Sequence, residues 1–258
     1  MKFIKKSKLK EAIQNKEKFL SALPFPHMVI DDFFNEKKLN KLLSLYPGIA
    51  DKKWWVYSNP LEMKFAFNNL SELDPIFQEF FDELNSKEFV KFISKFSELE
   101  NIVTDPSLYG GGLHQITKGG KLDVHEDFNI HRQLKAFRKI NIIVYLNKDW
   151  KESYGGDLQI WNADMTKCEK SVLPVFNRIV IFRTDMNSNH GHPDPLQCPE
   201  EMSRKSLAIY YYVPCTDDDL NSYVSTAYKK IVGKDEDPII EKLREDRKKG
   251  RLENKTSQ

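Results

Sequence analysis

From Leu99 onward, short β-prone runs alternate with clusters of Gly, Asn and Asp, and this rhythm constrains the fold more than any other feature. The β-prone runs cover residues 113–116, 140–146, 158–161, 178–182 and 206–213. The gaps between them lack the helical periodicity that parallel strands would need in their connections. The pattern is typical of antiparallel strands in a barrel or jelly roll. We therefore predict a mainly β fold for this part of the chain.

The first hundred residues have helical character instead. Residues 7–20 are rich in helix formers, with apolar residues three and four positions apart. Three residues that favour the N-cap position precede apolar stripes further on: Asn35, Asp74 and Ser86. Residues 28–30 are apolar and could form a short strand. These helices are expected to buttress the β region.

No internal repeat or convincing linker divides the 258 residues, so we predict a single domain, 1–258. With 40% hydrophobic and 30% charged residues, the chain can form a sizeable core and stay soluble. Three regions are expected within it: residues 1–100 as a mostly helical N-terminal support, residues 101–215 as the β core, and residues 216–258 as a charged tail. A helix should open at Asp237-Pro238, and its mixed charges are typical of a solvated face.

The charge balance argues against a nucleic-acid partner. Forty basic and 38 acidic residues give a net charge of +2, without the large positive excess of a nucleic-acid binder. The longest apolar stretch, 140–146, is too short to cross a bilayer, and no apolar run follows the basic start of the chain. We therefore predict a cytoplasmic protein without a membrane partner.

The cysteines do not form a recognisable motif. Cys168, Cys198 and Cys215 stand alone, and no Cys-x-x-Cys pair is present. Neither a zinc knuckle nor a disulfide framework is supported, so we expect reduced thiols.

A candidate metal site begins at His125-Glu126-Asp127. Residues two apart on a strand point to the same side, so one imidazole nitrogen and one carboxylate oxygen can meet one metal ion. By itself the pair is a weak signal, since a surface turn would explain it equally well. It gains weight from His190-Gly191-His192, which follows the apolar run at 178–182 and can supply a third ligand.

Two histidines and one carboxylate can occupy one face of an octahedral iron and leave the opposite face open. The same ligand types also suit zinc. Arg204 favours the iron site over a zinc site, because it shares a strand face with Ser206 just before the last predicted strand. A guanidinium and a hydroxyl at the bottom of a pocket would anchor a carboxylate. A surface arginine at the start of a strand is the alternative.

The order of these motifs resembles the 2-oxoglutarate/Fe(II)-dependent dioxygenase superfamily, and within it the prolyl-4-hydroxylase-like branch. The likeness extends over residues 113–213 and includes the run 143–150 followed by Gly155-Gly156. It implies a double-stranded β-helix (jelly roll) with N-terminal helices and a C-terminal helix. It also implies an oxidoreductase that uses Fe(II), 2-oxoglutarate and O2, with ascorbate as a candidate reductant.

The resemblance assigns roles to individual residues. His125, Asp127 and His190 match the metal ligands, with His192 as the alternative to His190. Arg204 matches the arginine that pairs with the far carboxylate of 2-oxoglutarate, and Tyr145 and Ser206 match residues that assist it. No catalytic residue beyond the metal centre is implied.

The resemblance also bears on reaction type. Related halogenases replace the carboxylate ligand with a small residue, so Asp127 favours hydroxylation of a substrate C–H bond. Gln115 stands where the branch often has a tyrosine, which predicts a different polar lining near the cosubstrate. His131 is expected in a solvated loop, and the alternative is that it faces the substrate at the mouth of the pocket.

Two other functions remain open from the sequence. One is a cupin-type metal dioxygenase that does not use 2-oxoglutarate, and the other is a non-catalytic jelly-roll binding module. The substrate is also open between a peptidyl proline and a small metabolite, because one scaffold serves many substrates. The oligomeric state is not predicted.

Overall fold

The computed structural model describes residues 1–51, 53–184 and 187–248. The helices are α1 (Lys6–Gln14), α2 (Lys16–Leu20), α3 (Glu36–Ser44), α4 (Pro75–Asn85), α5 (Lys87–Ser97) and α6 (Pro238–Lys248). The strands are β1 (His27–Asp31), β2 (Trp55–Asn59), β3 (Glu62–Phe67), β4 (Val103–Thr104), β5 (Gly112–Thr117), β6 (Leu122–Glu126), β7 (Ile130–His131), β8 (Ala136–Tyr145), β9 (Leu158–Trp161), β10 (Cys168–Val172), β11 (Arg178–Arg183), β12 (His190–His192), β13 (Ser203–Pro214) and β14 (Ala227–Tyr228).

The strands form one sheet whose named pairs are all antiparallel. Its order is β1-β11-β8-β13-β5-β3-β6-β12-β9-β10, with β2, β4, β7 and β14 attached to β3, β13, β8 and β6. The sheet curls back on itself, because Asp127 at the end of β6 lies 2.9 Å from Arg138 on β8 although β13, β5 and β3 separate those strands. The predicted mainly β, jelly-roll architecture with flanking helices is confirmed.

The two faces of the central strands have different roles. On β8, Ile142 and Val144 are buried in the core formed with the N-terminal helices, whereas Asn141 and Ile143 line a cavity on the other side. On β13, Leu207 belongs to the same helix-facing core. The period of two along a strand explains this separation of an apolar layer from a functional face.

The N-terminal helices begin where the sequence predicts. The side chains of Asn35, Asp74 and Ser86 each accept a hydrogen bond from a backbone N–H in the first turn of α3, α4 and α5. The helix predicted over 7–20 is divided at Asn15 into α1 and α2. A set of fully buried phenylalanines joins the helices to the sheet: Phe19, Phe77, Phe80, Phe81, Phe89 and Phe96.

Residues before position 100 also contribute three strands. The predicted strand at 28–30 is confirmed as β1, which pairs with β11. The hairpin of β2 and β3 was not predicted, and β3 pairs with both β5 and β6. Its charged residues hide the usual apolar alternation, because they point into a polar cavity rather than into a core. The division of the domain at residue 100 stays a prediction.

The C-terminal segment packs back onto the sheet. β14 pairs with β6, placing Tyr228 opposite His125, and α6 begins after Asp237 as predicted. The prediction of a solvated face on α6 is wrong for two arginines. Arg244 lies 3.2 Å from Asp123, and Arg247 forms an ion pair with the buried Glu62. Residues 223–247 are called the C-terminal strap below.

Two further points concern the chain as a whole. Among the described residues, no helix combines the length and the apolar character needed to cross a membrane. Residues 249–258, the end of the predicted charged tail, lie outside the described residues.

Candidate metal centre

Two adjacent strands bring three potential metal ligands together. His125 lies on β6, Asp127 follows that strand directly, and His190 begins β12. The ligand atoms of the three side chains all lie within 4.8 Å of one another. Nε2 of His125 is 3.6 Å from Oδ1 of Asp127, and Nε2 of His190 is 3.5 Å from Oδ2. This donor set can hold a divalent metal ion on one face.

Backbone carbonyls orient both imidazoles. Nδ1 of His125 is 2.8 Å from the Asp123 carbonyl, and Nδ1 of His190 is 2.8 Å from the Ser188 carbonyl. A proton on Nδ1 satisfies each carbonyl and leaves the lone pair on Nε2 directed toward the common centre. Burial lowers the pKa of His190 to about 4, so its ring is neutral and able to bind a metal at ordinary pH.

The carboxylate of Asp127 is held from the opposite side of the cavity. Its Oδ2 accepts a hydrogen bond of 2.7 Å from the Asn141 amide and lies 2.9 Å from Nη2 of Arg138. Nε of Arg138 in turn donates to Oδ1 of Asn141 at 2.8 Å. Burial by itself raises the pKa of Asp127, but the charge of Arg138 is the strongest opposing influence, and the pKa lies well below its usual value. The carboxylate is therefore ionised and fixed in orientation.

His192 takes a different place from His190. The register between β12 and β6 shifts between the two histidines, so His190 is opposite His125 while His192 is opposite Leu122. His192 is buried, and neither ring nitrogen has a hydrogen-bond partner among the described residues. Its side chain lines the cavity but is not a member of the three-residue ligand group.

Arg204 provides a second functional group in the same cavity. It is 5% exposed, donates from Nε to the Gly156 carbonyl at 2.7 Å, and lies 3.2 Å through Nη2 from the Tyr145 hydroxyl. Ser206 lines the cavity from the same strand. No carboxylate of the described residues lies within 4.0 Å of Arg204. A buried guanidinium without an anion is costly, so this group fits a carboxylate ligand such as that of 2-oxoglutarate.

The space that Arg204 occupies depends on a glycine. Gly156 has a φ of +77°, and a Cβ there would lie 3.0 Å from Cδ of Arg204 and 2.5 Å from Leu196. Only glycine combines this backbone conformation with the close approach. The Gly155-Gly156 turn thus holds the guanidinium in place by its carbonyl and makes room for the side chain.

A cavity of roughly 690 Å³ connects the two sites. Its wall includes the ligand group, Arg204 and Ser206, several aromatic residues and parts of the C-terminal strap. A volume in this range suits a cosubstrate together with a small substrate.

Residues 111–212 match the family model described as the 2OG-Fe(II) oxygenase superfamily, and this range spans the ligand group and Arg204. These residues form a 2OG-Fe(II) oxygenase domain. The predicted enzyme class, a dioxygenase that uses Fe(II) and 2-oxoglutarate, is thereby confirmed. A role for ascorbate stays a prediction.

Solved structures agree with the oxygenase in fold. A prolyl hydroxylase from Trichoplax adhaerens, in complex with a hypoxia-inducible-factor peptide fragment, matches with a TM-score of 0.59 and 16% identity, covering 81% of this chain and 93% of that one. A prolyl-4-hydroxylase from Pseudomonas putida matches with a TM-score of 0.56 and 16% identity over 80% and 98% of the chains. A prolyl 4-hydroxylase structure from Phytophthora capsici matches with a TM-score of 0.55 and 21% identity, covering 84% of this chain and 72% of that one.

Some sequence expectations about the oxygenase site need correction. Gln115 does not line the cavity, because its amide donates to Ser203 on the other face of β5, while its neighbour His114 faces inward. His131 is not in a solvated loop. It is buried, with Nε2 3.3 Å from Asp105.

Other site residues of the oxygenase were missed from the sequence. Arg138, Asn141 and Lys64 line the cavity, although nothing in the sequence analysis selected them. A polar residue in an otherwise apolar strand, as at Asn141, was the available signal.

Proposed function

We propose that this oxygenase hydroxylates a C–H bond of a small molecule bound in the cavity between the ligand group and the C-terminal strap. In this proposal His125, Asp127 and His190 hold Fe(II). Arg204 binds the far carboxylate of 2-oxoglutarate, assisted by Tyr145 and Ser206. The observation that carries the proposal is that the ligand group and an unpaired, buried guanidinium face one continuous cavity.

The residues of the chain position the reactants. Bound Fe(II) supplies the redox chemistry that couples oxidative decarboxylation of 2-oxoglutarate to hydroxylation. Arg138 and Asn141 keep the Asp127 carboxylate turned toward the two imidazoles. The intact carboxylate favours hydroxylation over halogenation, since it fills the position that a halide would need.

The C-terminal strap favours a small substrate over a peptide. Tyr228 packs against the His125 ring with a centroid distance of 5.5 Å. β14 occupies the edge of β6, the strand that carries His125, so an extended peptide cannot pair there. The Trichoplax neighbour is described with a peptide fragment bound, and that property belongs to the neighbour.

Succinate formation tests the proposal. Purified protein with Fe(II) and 2-oxoglutarate should release succinate, and one member of a panel of amino acids, organic acids, sugar derivatives and proline peptides should increase the rate. Asp127→Ala should abolish the release, whereas Asp218→Ala, at an exposed position outside the cavity lining, should retain it.

The competing functions give different results in the same assay. A cupin-type dioxygenase or a non-catalytic module would release no succinate from 2-oxoglutarate. Wild-type activity in Asp127→Ala would remove that residue from the ligand set, and stimulation by proline peptides alone would contradict a small substrate.

A further inference from the structure

The cavity of the oxygenase carries more positive charge than its cosubstrate can balance. Among the residues that the structure describes, five basic ones line it (Lys64, Arg132, Arg138, Arg204 and Arg247) against two acidic ones (Glu62 and Asp127). Fe(II) and 2-oxoglutarate carry equal and opposite charges, so their binding leaves the excess unchanged. The excess of three positive charges within one cavity is larger than the net charge of +2 on the whole chain.

The excess positive charge is not located at Arg204, because the carboxylate of the cosubstrate would neutralise that residue. Glu62 is shared by two cations, since it lies 3.4 Å from Lys64 and also pairs with Arg247. Arg132 lies over the Tyr223 ring at 4.0 Å, and no carboxylate of the described residues is within 4.0 Å of it. The unbalanced charge is therefore on the substrate side of the cavity.

Lys64 is the most confined of these cations. Its side chain is 17% exposed and its ammonium lies 5.0 Å from the centre of the Tyr57 ring. Burial by itself lowers the pKa of Lys64. The Glu62 carboxylate and the Tyr57 and Tyr210 side chains outweigh burial and raise the pKa, so the ammonium stays charged. Among the described residues Lys64 has one carboxylate partner, which it shares with Arg247, so the cation is under-compensated and available to a ligand.

A neutral hydrogen-bonding group accompanies the cations. His114 lines the cavity, and its buried Nε2 has no hydrogen-bond partner among the described residues. Burial and then the charges of Lys64, Arg204 and Arg138 lower the pKa of His114 to about 3, so the ring is neutral at ordinary pH. The guanidinium of Arg138 stacks at 3.4 Å on Tyr210, a further wall residue.

From these contacts we infer that the substrate carries an anionic group, a carboxylate or a phosphate, which binds to Lys64 and the Nε2 of His114 on the substrate side of the cavity. The inference rests on the proposed function. Ammonium and guanidinium groups in a confined site bind such anions through charge-assisted hydrogen bonds, and the anion would orient the remainder of the substrate toward the ligand group.

Anion binding to the loaded protein tests this directly. Thermal unfolding is measured on protein loaded with Zn(II) and saturating 2-oxoglutarate, with sulfate or acetate added and ionic strength held constant with sodium chloride. A ligand that binds the native state raises the melting temperature in a saturable way. Sulfate represents phosphate esters and acetate represents carboxylic acids, so the more effective ion identifies the group.

Matched variants locate the binding. Lys64→Gln should weaken the effective ion by about tenfold or more, since hydrogen bonds to charged groups are stronger than neutral ones. Lys64→Arg should restore binding. Lys118→Gln should behave as wild type, because Lys118 is an exposed lysine paired with Glu200 outside the cavity.

Two results would overturn the inference: neither ion stabilises the wild-type protein, or Lys64→Gln responds as strongly as wild type. The succinate assay decides the proposed function separately. If the protein releases succinate but shows no Lys64-dependent anion binding, the proposed function stands and the inference of an anionic substrate is wrong. If the protein binds the anion but releases no succinate, the proposed function is wrong.

Discussion

His125 and His190 are direct cross-strand partners in the antiparallel pair of β6 and β12, and their ring centroids are 4.5 Å apart. Opposite positions on adjacent strands hold side chains close together on one face of a sheet. The metal site therefore depends on the register of two short strands as much as on the ligands themselves. Four predictions follow from the way the strands and their neighbours hold the site.

Gly191 should be essential to this strand register. A Cβ at this position would lie 2.8 Å from the Asp123 and Leu122 carbonyl oxygens and from the Val124 Cα, all of which are backbone atoms. Gly191→Ala should push β12 away from β6, lower stability by about 1–3 kcal/mol and weaken metal binding. Thermal unfolding and calorimetric titration with Co(II) measure both effects. Gly48→Ala, where a Cβ meets nothing within 4 Å, is the control. A Gly191→Ala protein with normal metal affinity would contradict the prediction.

The two candidate third ligands should behave differently when replaced. His190→Ala should lose tight Co(II) binding, because His190 completes the group of donor atoms. His192→Ala should keep Co(II) binding close to wild type, since the register shift places His192 opposite Leu122. Titration without 2-oxoglutarate separates metal binding from cosubstrate binding. The reverse pattern would transfer the ligand role to His192.

Asn141 should act on the metal through Asp127. Asn141→Ala removes the 2.7 Å hydrogen bond to the carboxylate and the acceptor for Arg138, so the carboxylate loses its orientation. We expect metal affinity to fall by about 10–100-fold, as for other partners of metal ligands. Asn69→Ala, on an exposed side chain, is the control. Equal Co(II) affinities in the two variants would show that Asp127 does not need this support.

Arg204 should determine cosubstrate affinity without affecting the metal. Arg204→Ala removes one partner of a buried charge pair and should weaken 2-oxoglutarate binding by about 2–5 kcal/mol. Tyr145→Phe removes only the hydroxyl 3.2 Å from Arg204 and should cost about 0.5–1.5 kcal/mol. Calorimetry on Zn(II)-loaded protein measures both. An unchanged cosubstrate affinity in Arg204→Ala would contradict the anchor role.

Local patterns anticipated much of the fold because their causes are local. The N-caps Asn35, Asp74 and Ser86 begin helices at the expected residues, since a short polar side chain needs only the next turn of backbone as its partner. The strand at 158–161 was predicted at its observed bounds. The β2–β3 hairpin was not predicted, because Glu62 and Lys64 face a polar cavity and the sequence of the hairpin lacks the apolar alternation of a half-buried strand.

The candidate site was predictable in its residue types and less so in its arrangement. His125 and Asp127 stand two apart in sequence, and Arg204 shares a face with Ser206, so spacing alone proposed them. Lys64 and Arg138 lie on strands far apart in the chain, and only the curled sheet brings them to one cavity. His131 was wrongly predicted to be solvated, because its partner Asp105 is distant in sequence and no local pattern indicates the contact.

By itself, the sequence determined the helices, most long strands, the chemical class of the site and the residues that could form it, because these depend on local periodicity and spacing. The tertiary structure decided that His190 rather than His192 joins His125 and Asp127, that Arg138 and Asn141 hold the carboxylate, and that the C-terminal strap lines the cavity. The physical reason is that these contacts depend on strand register and sheet curvature, which arise from packing across the whole domain.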